Sequence, residues 1–106
     1  MIRHIVFFSA KLPEDIPVLQ EGLAILGGIS HARNFEVGRN VKADQWSTEA
    51  DVVVYCEFDD EAALRAFKAH PLYQESIRRV RPLRDMRIVA DFNSEMALKA
   101  PDRATR

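Results

Sequence analysis

One cysteine in 106 residues leaves no partner for an internal disulfide and no cysteine-based metal cluster. The chain therefore reads as intracellular, or at least independent of an oxidising compartment, and its expected location is cytoplasmic. Charge of one sign is also missing. Fifteen Lys and Arg against sixteen Asp and Glu give a net charge of -1, which removes the global electrostatic warrant for binding nucleic acid or a membrane surface. No stretch approaches the roughly 18 consecutive apolar residues of a membrane span. The opening Met1-Ile2-Arg3-His4, with only four clearly apolar residues behind it, is too short and too quickly polar for a secretory signal. The length excludes a second domain, because a chain of this size buries roughly two thirds of its unfolded surface, enough for one core.

What is present is a regular alternation of elements. Residues 2–10 are rich in β-branched and aromatic types and close at Lys11-Leu12-Pro13, so they predict a strand buried on both faces and central in its sheet. Ile16, Leu19, Leu23 and Leu26 recur at spacings of three, four and three, one helical stripe, with Pro17 tolerable in the first turn and Gly27-Gly28 as the stop. Phe35, Val37 and Val41 predict a second strand with a bend or bulge at Gly38-Arg39-Asn40, followed by a polar hairpin loop around Trp46. A third strand runs from Val52 to Phe58, again apolar on both faces. Asp59-Asp60-Glu61 supplies the cap and first-turn acids of a helix bearing Ala63, Leu64, Ala66 and Phe67. His70-Pro71 breaks that helix and starts another over residues 72–80, which Pro82 stops. A fourth strand over residues 86–92 ends the expected domain at residue 93, and residues 94–106 read as a mobile tail.

The order βαββαβ folds, with short right-handed connections, into an α+β ferredoxin-like sandwich: a four-stranded antiparallel sheet with its helices on one face. The other face then stays bare. Because the first and third strands are apolar on both sides, the least costly cover for that face is the same face of a second copy, so the pattern predicts a homodimer. On the first strand His4, Val6 and Phe8 share one face and Arg3, Ile5 and Phe7 the other, and the pattern alone leaves open which of them meets the helices.

Five segments carry a family likeness. The opening residues 2–8, Phe35-Glu36-Val37-Gly38-Arg39-Asn40, the strand from Asp51 to Phe58 with Asp59-Asp60, the break Phe67-x-x-His70-Pro71, and Val89-Ala90-Asp91-Phe92 resemble the stress-responsive dimeric α/β-barrel family over residues 1 to about 93. The resemblance implies a homodimer whose two sheets face each other as a barrel with helices outside. It also assigns His4, and with it the even face of the first strand, to a cavity between sheet and helices. The family includes plant polyketide cyclases that need no cofactor. Their catalytic imidazole stands two residues after the proline of the helix break, and a tyrosine stands three residues before the first histidine. Here those positions hold Tyr73 and Phe67. A phenol with an ordinary pKa near 10 is a poor base at neutral pH unless something lowers it.

The candidate ligand-binding residues are His4, Val6, Phe8, Val54, Phe67, Tyr73 and Arg84, with His4 and Tyr73 the candidates for catalysis. His4 is either a proton-transfer or substrate-orienting group, which needs a partner to fix its tautomer, or a strand-end histidine bonded to backbone or solvent. Tyr73 either donates a hydrogen bond to a ligand carbonyl or packs its ring and wets its hydroxyl. His70 is expected to satisfy terminal carbonyls at a helix end, Cys56 to be a buried inert thiol, and His31 to have no role. Charge is segregated: seven acids between Asp44 and Glu61 face no basic residue in that stretch, while Arg78, Arg79, Arg81, Arg84 and Arg87 fall within ten positions. Either Arg84 or Arg87 is expected to reach the cavity and meet a carboxylate or enolate. No Ser-His-Asp motif, glycine-rich phosphate loop or metal-ligand cluster is legible, so no cofactor and no metal are expected. Three readings follow. The chain is a homodimeric barrel protein that binds a small hydrophobic or anionic molecule; or a cofactor-independent enzyme of the cyclase, isomerase or oxygenase type using His4 and Tyr73; or a structural dimer whose stability is its role.

Overall fold

The computed structural model describes residues 1–101. Strand β1 (Ile2–Ala10) is followed by helix α1 (Ile16–Ala24), strands β2 (Arg33–Arg39) and β3 (Val52–Phe58), helices α2 (Glu61–Ala69) and α3 (Pro71–Val80), and strand β4 (Arg84–Asn93). Single 3-10 turns lie at Pro13–Asp15, Ile25–Gly28 and Ser94–Met96. The strands form one antiparallel sheet in the order β2-β3-β1-β4, which puts β1 and β3 in the middle and leaves β2 and β4 as edges. This is the ferredoxin-like α+β arrangement.

The period-2 rule settles which face of β1 meets the helices. Ile2, His4, Val6 and Phe8 are buried, as are Val52, Val54, Cys56 and Phe58 on β3, while Arg3, Ile5, Phe7, Val53 and Tyr55 on the opposite face are half-exposed. The helix side closes over Leu19, Leu23, Leu26, Phe67 and Val80, and the rings of Phe58 and Phe67 meet edge to face at 4.9 Å. Each large apolar side chain buried here stabilises the fold by about 1.5–3 kcal/mol. On the bare side, Ile88 of β4 stands opposite Phe7 and Phe92 opposite Arg3, and the two remain 54% and 43% exposed.

Several local expectations need correction. The irregularity in β2 lies between Arg33 and Glu36, where Asn34 adopts a left-handed φ of 50°, and not at Gly38. Val41 falls outside the strand and is 87% exposed, because β2 ends at Arg39 and Asn40 turns the chain by bonding Ala50 and Asp51. Gly27 and Gly28 do not stop α1 through a left-handed residue, since no glycine has a positive φ; the helix tightens into the 3-10 turn Ile25–Gly28 instead. Their lack of a side chain is what matters. A Cβ on Gly27 would stand 3.0 Å from the Phe35 ring, and one on Gly28 3.1 Å from Leu72.

The His70 ring does not bond helix-end carbonyls; its backbone N–H donates to the Phe67 carbonyl at the end of α2. It caps the start of α3: its Nδ1 accepts the Leu72 backbone N–H at 3.0 Å, with Pro71 in the first helical position. The same residue ends α2, because the position before a proline is driven to extended backbone, here φ -71° and ψ 142°. Asp60 caps α2 by accepting the Ala63 N–H at 2.8 Å. Past β4, the Ser94 N–H donates to the Met1 carbonyl at 2.9 Å, and Glu95 receives the terminal ammonium at 2.6 Å. The stretch read as a mobile tail thus begins with a turn tied to the start of β1; its residues 102–106 lie outside the described residues. No helix among the described residues is long and apolar enough to cross a membrane.

Candidate functional site

The helix break and the even face of β1 converge on one cavity. His4, Val6 and Phe8 come from β1 and Val54 from β3; Phe67 comes from the last turn of α2 and Tyr73 from the first turn of α3; Arg84 comes from the start of β4. All seven line the same space, together with Arg81 and Arg87. The cavity holds about 40 Å³, room for a few waters. A small-molecule pocket usually offers several hundred Å³, so an organic ligand enters only if the rim parts.

His4 is buried at the inner end, with the rings of Phe58 and Phe67 edge-on at 5.6 and 6.2 Å. Its Nδ1 pairs with Asp91 Oδ1 across the β1–β4 ladder, where the two residues stand directly opposite each other. His4 is thus bonded neither to backbone nor to solvent at that nitrogen, and the partner it needs is present. A carboxylate at Nδ1 holds the proton there and leaves Nε2 as the ring's acceptor, the tautomer a proton-accepting histidine requires. The sequence offers one signal for Asp91, an acid within the apolar stretch Val89-Ala90-Asp91-Phe92, and only the β1–β4 register brings it to His4.

Tyr73 packs its ring edge-on against Phe67, centroids 5.4 Å apart, so the two positions that hold phenol and imidazole in the cyclases are neighbours here. Arg84 is half-buried, and its guanidinium is held below the ordinary value, first by burial and then by repulsion from Arg87 and Arg81. The basic run therefore divides. Arg78 pairs with Glu75, Arg79 bonds the same carboxylate at 2.9 Å, and Arg81, Arg84 and Arg87 turn to the cavity.

Other candidates resolve into structure. Burial pushes the Cys56 thiol up to about 12, with Asp91 and Glu57 adding to it, so no thiolate nucleophile is available near neutral pH. His31 lies exposed in the turn before β2. Among the described residues no group of three or more His, Cys, Asp or Glu side chains is placed to hold a metal ion. On the bare sheet face, Tyr55 donates to Glu57 at 2.5 Å, Arg3 reaches both at 2.9 and 2.8 Å, and Asn34 donates to Glu57 at 2.6 Å. This network holds the Glu57 carboxyl below its ordinary value, through Tyr55 first and then Asn34.

Solved structures share this architecture. A ferredoxin-like protein of the same domain family from Mesorhizobium loti superimposes with a TM-score of 0.73 at 26% identity, over 87% of this chain and 94% of its own. A dimeric ferredoxin-like protein of unknown function from Jannaschia gives 0.72 at 26% identity, over 87% and 97%. A protein described as an antibiotic biosynthesis monooxygenase gives 0.71 at 16% identity, over 89% and 98%, a likeness of fold alone. No protein of curated function matches the chain. Residues 2–94, which run from the first residue of β1 to the turn after β4, match the stress responsive A/B barrel domain, and the chain belongs to that family.

Proposed function

We propose that this chain acts as a homodimer, joined through the bare face of its sheet, that takes a small hydrophobic or anionic molecule into the cavity between sheet and helices. The observation that carries the ligand reading is the convergence on one cavity of apolar walls, a buried His4 held from behind by the partly exposed Asp91, and arginines that have no ion pair among the described residues. Support for the dimer comes from Ile5, Phe7, Val53, Ile88 and Phe92, an apolar sheet face that one chain leaves in water, and from the Jannaschia protein, itself described as dimeric. A buried thiol and the absence of any disulfide suit a reducing compartment such as the cytoplasm. Titration with 1-anilinonaphthalene-8-sulfonate, an apolar anion, tests the ligand reading. One saturable site per chain is expected, lost in Val54→Phe, which fills the cavity; binding that survives in the folded variant contradicts the assignment.

A second reading, the cofactor-independent enzyme, is favoured by one observation: Asp91 supplies the partner that fixes the His4 tautomer. In that reading His4 Nε2 accepts a proton from a carbon acid, while Tyr73 and Arg84 stabilise the enolate oxygen. Tyr73→Phe then slows turnover by roughly 10². We place the binding protein first because the cyclase positions hold Tyr73 and Phe67. Turnover of a linear polyketide thioester by the native chain, abolished in Tyr73→Phe, would reverse that order.

A further inference from the structure

Among the described residues five arginines have no ion pair, Arg39, Arg65, Arg81, Arg84 and Arg87, and the last three gather at one cavity. Arg3 has Glu57, Arg33 has Asp59, and Arg78 and Arg79 have Glu75. Among the described residues no ion pair engages Arg81, Arg84 or Arg87, although they stand close enough that Arg84 feels repulsion from both of the others. They come from one short stretch of chain. Arg81 follows α3 directly, Arg84 opens β4, and Arg87 stands opposite Phe8 on the helix side of that strand. Beneath them the cavity wall is Val6, Phe8, Leu23, Val54 and Val80.

Like charges gathered without a counter-charge at the rim of an apolar space create a positive potential that falls on whatever enters, and the low dielectric below strengthens it. A guanidinium is a rigid fork of N–H donors that matches the paired oxygens of carboxylates and phosphates. We propose that Arg81, Arg84 and Arg87 form the head-group site for an oxyanion, a carboxylate or a phosphate monoester, carried on an apolar tail that enters the cavity toward His4. This rests on the cavity being a ligand site and names the ligand's class. The small volume makes the guanidiniums the first contact: the head group draws them together as the tail widens the space below.

The probes are octanoate, octyl phosphate and octanol, which share a tail and differ in head group, measured by isothermal titration against the full chain. At least one of the two anions is expected to bind tenfold or more tightly than octanol, with an advantage that shrinks as salt rises. The tighter of the two identifies the head group. In the double variant Arg84→Gln with Arg87→Gln the advantage should vanish while octanol affinity stays unchanged. Octanol binding as well as both anions overturns the head-group assignment and leaves the cavity a ligand site. An anion advantage that persists in the double variant also overturns it. If none of the three binds the native chain, the cavity reading fails and the head-group site fails with it.

Discussion

The pairing of His4 with Asp91 sets the character of the site. A histidine buried among Phe58 and Phe67 is costly to leave without a partner, and Asp91 reaches it only because β1 and β4 pair in this register. Asp91→Ala should therefore destabilise the fold by about 1–3 kcal/mol, the cost of an unsatisfied buried polar group, whereas Asp91→Asn, which keeps an oxygen at Oδ1, should lose less. Thermal melts of the two variants check this, and an Asp91→Ala chain as stable as the native one would show that the hydrogen bond contributes nothing. A second residue-scale prediction concerns acid. Because the folded Glu57 carboxyl is held below its ordinary 4.5, its contribution to stability is complete above that value. It is lost as pH falls from there through the lower folded value. Melting temperature followed from neutral to about pH 3 should fall less steeply in Glu57→Gln than in the native chain. Parallel curves would mean the network with Tyr55, Arg3 and Asn34 carries no linkage.

At the scale of elements, the cap of α3 gives the cleanest test. His70→Ala removes the acceptor for the Leu72 N–H and should cost about 1 kcal/mol, while His70→Asn restores a side-chain oxygen and most of the stability. Urea denaturation distinguishes the two, and an unchanged His70→Ala would deny the cap. Much of this architecture was legible in advance. The stripe Ile16, Leu19, Leu23, Leu26 and the cap at Asp60 specify their helices locally, and both helices form where those residues stand. The errors fall where local signals are degenerate. A glycine between a helix and a strand looks like a left-handed stop, yet at Gly27 the requirement is space for the Phe35 ring, a contact between elements that spacing cannot express. Gly38 attracted the bulge that belongs near Asn34, because a strand bulge depends on the partner's register as much as on its own residues. Periodicity groups His4, Val6 and Phe8 on one face of β1 but does not say which side that face meets, and the assignment to a cavity came with the family resemblance; the Asp91 pair depends on a long-range register that neither expresses.

At the scale of the whole molecule, one feature of the sheet governs the proposal. Ile5 and Phe7 at its centre, with Ile88 and Phe92 on the edge strand, present apolar groups on the side that no helix covers. Phe7→Asp would place a charge in the proposed interface at a cost of several kcal/mol, enough to dissociate it. Sedimentation velocity at micromolar concentration should show two chains for the native protein and one for the variant, and a native monomer would refute the dimer. The cavity lies on the other side of the sheet, so dissociation should leave its lining intact and separate the two halves of the account. In native mass spectrometry the chain purified without added ligand should show the mass of two chains carrying a small acidic molecule with an apolar tail, an adduct that Val54→Phe no longer carries. Two bare chains that gain no adduct from excess octanoate, octyl phosphate or octanol would contradict the proposal.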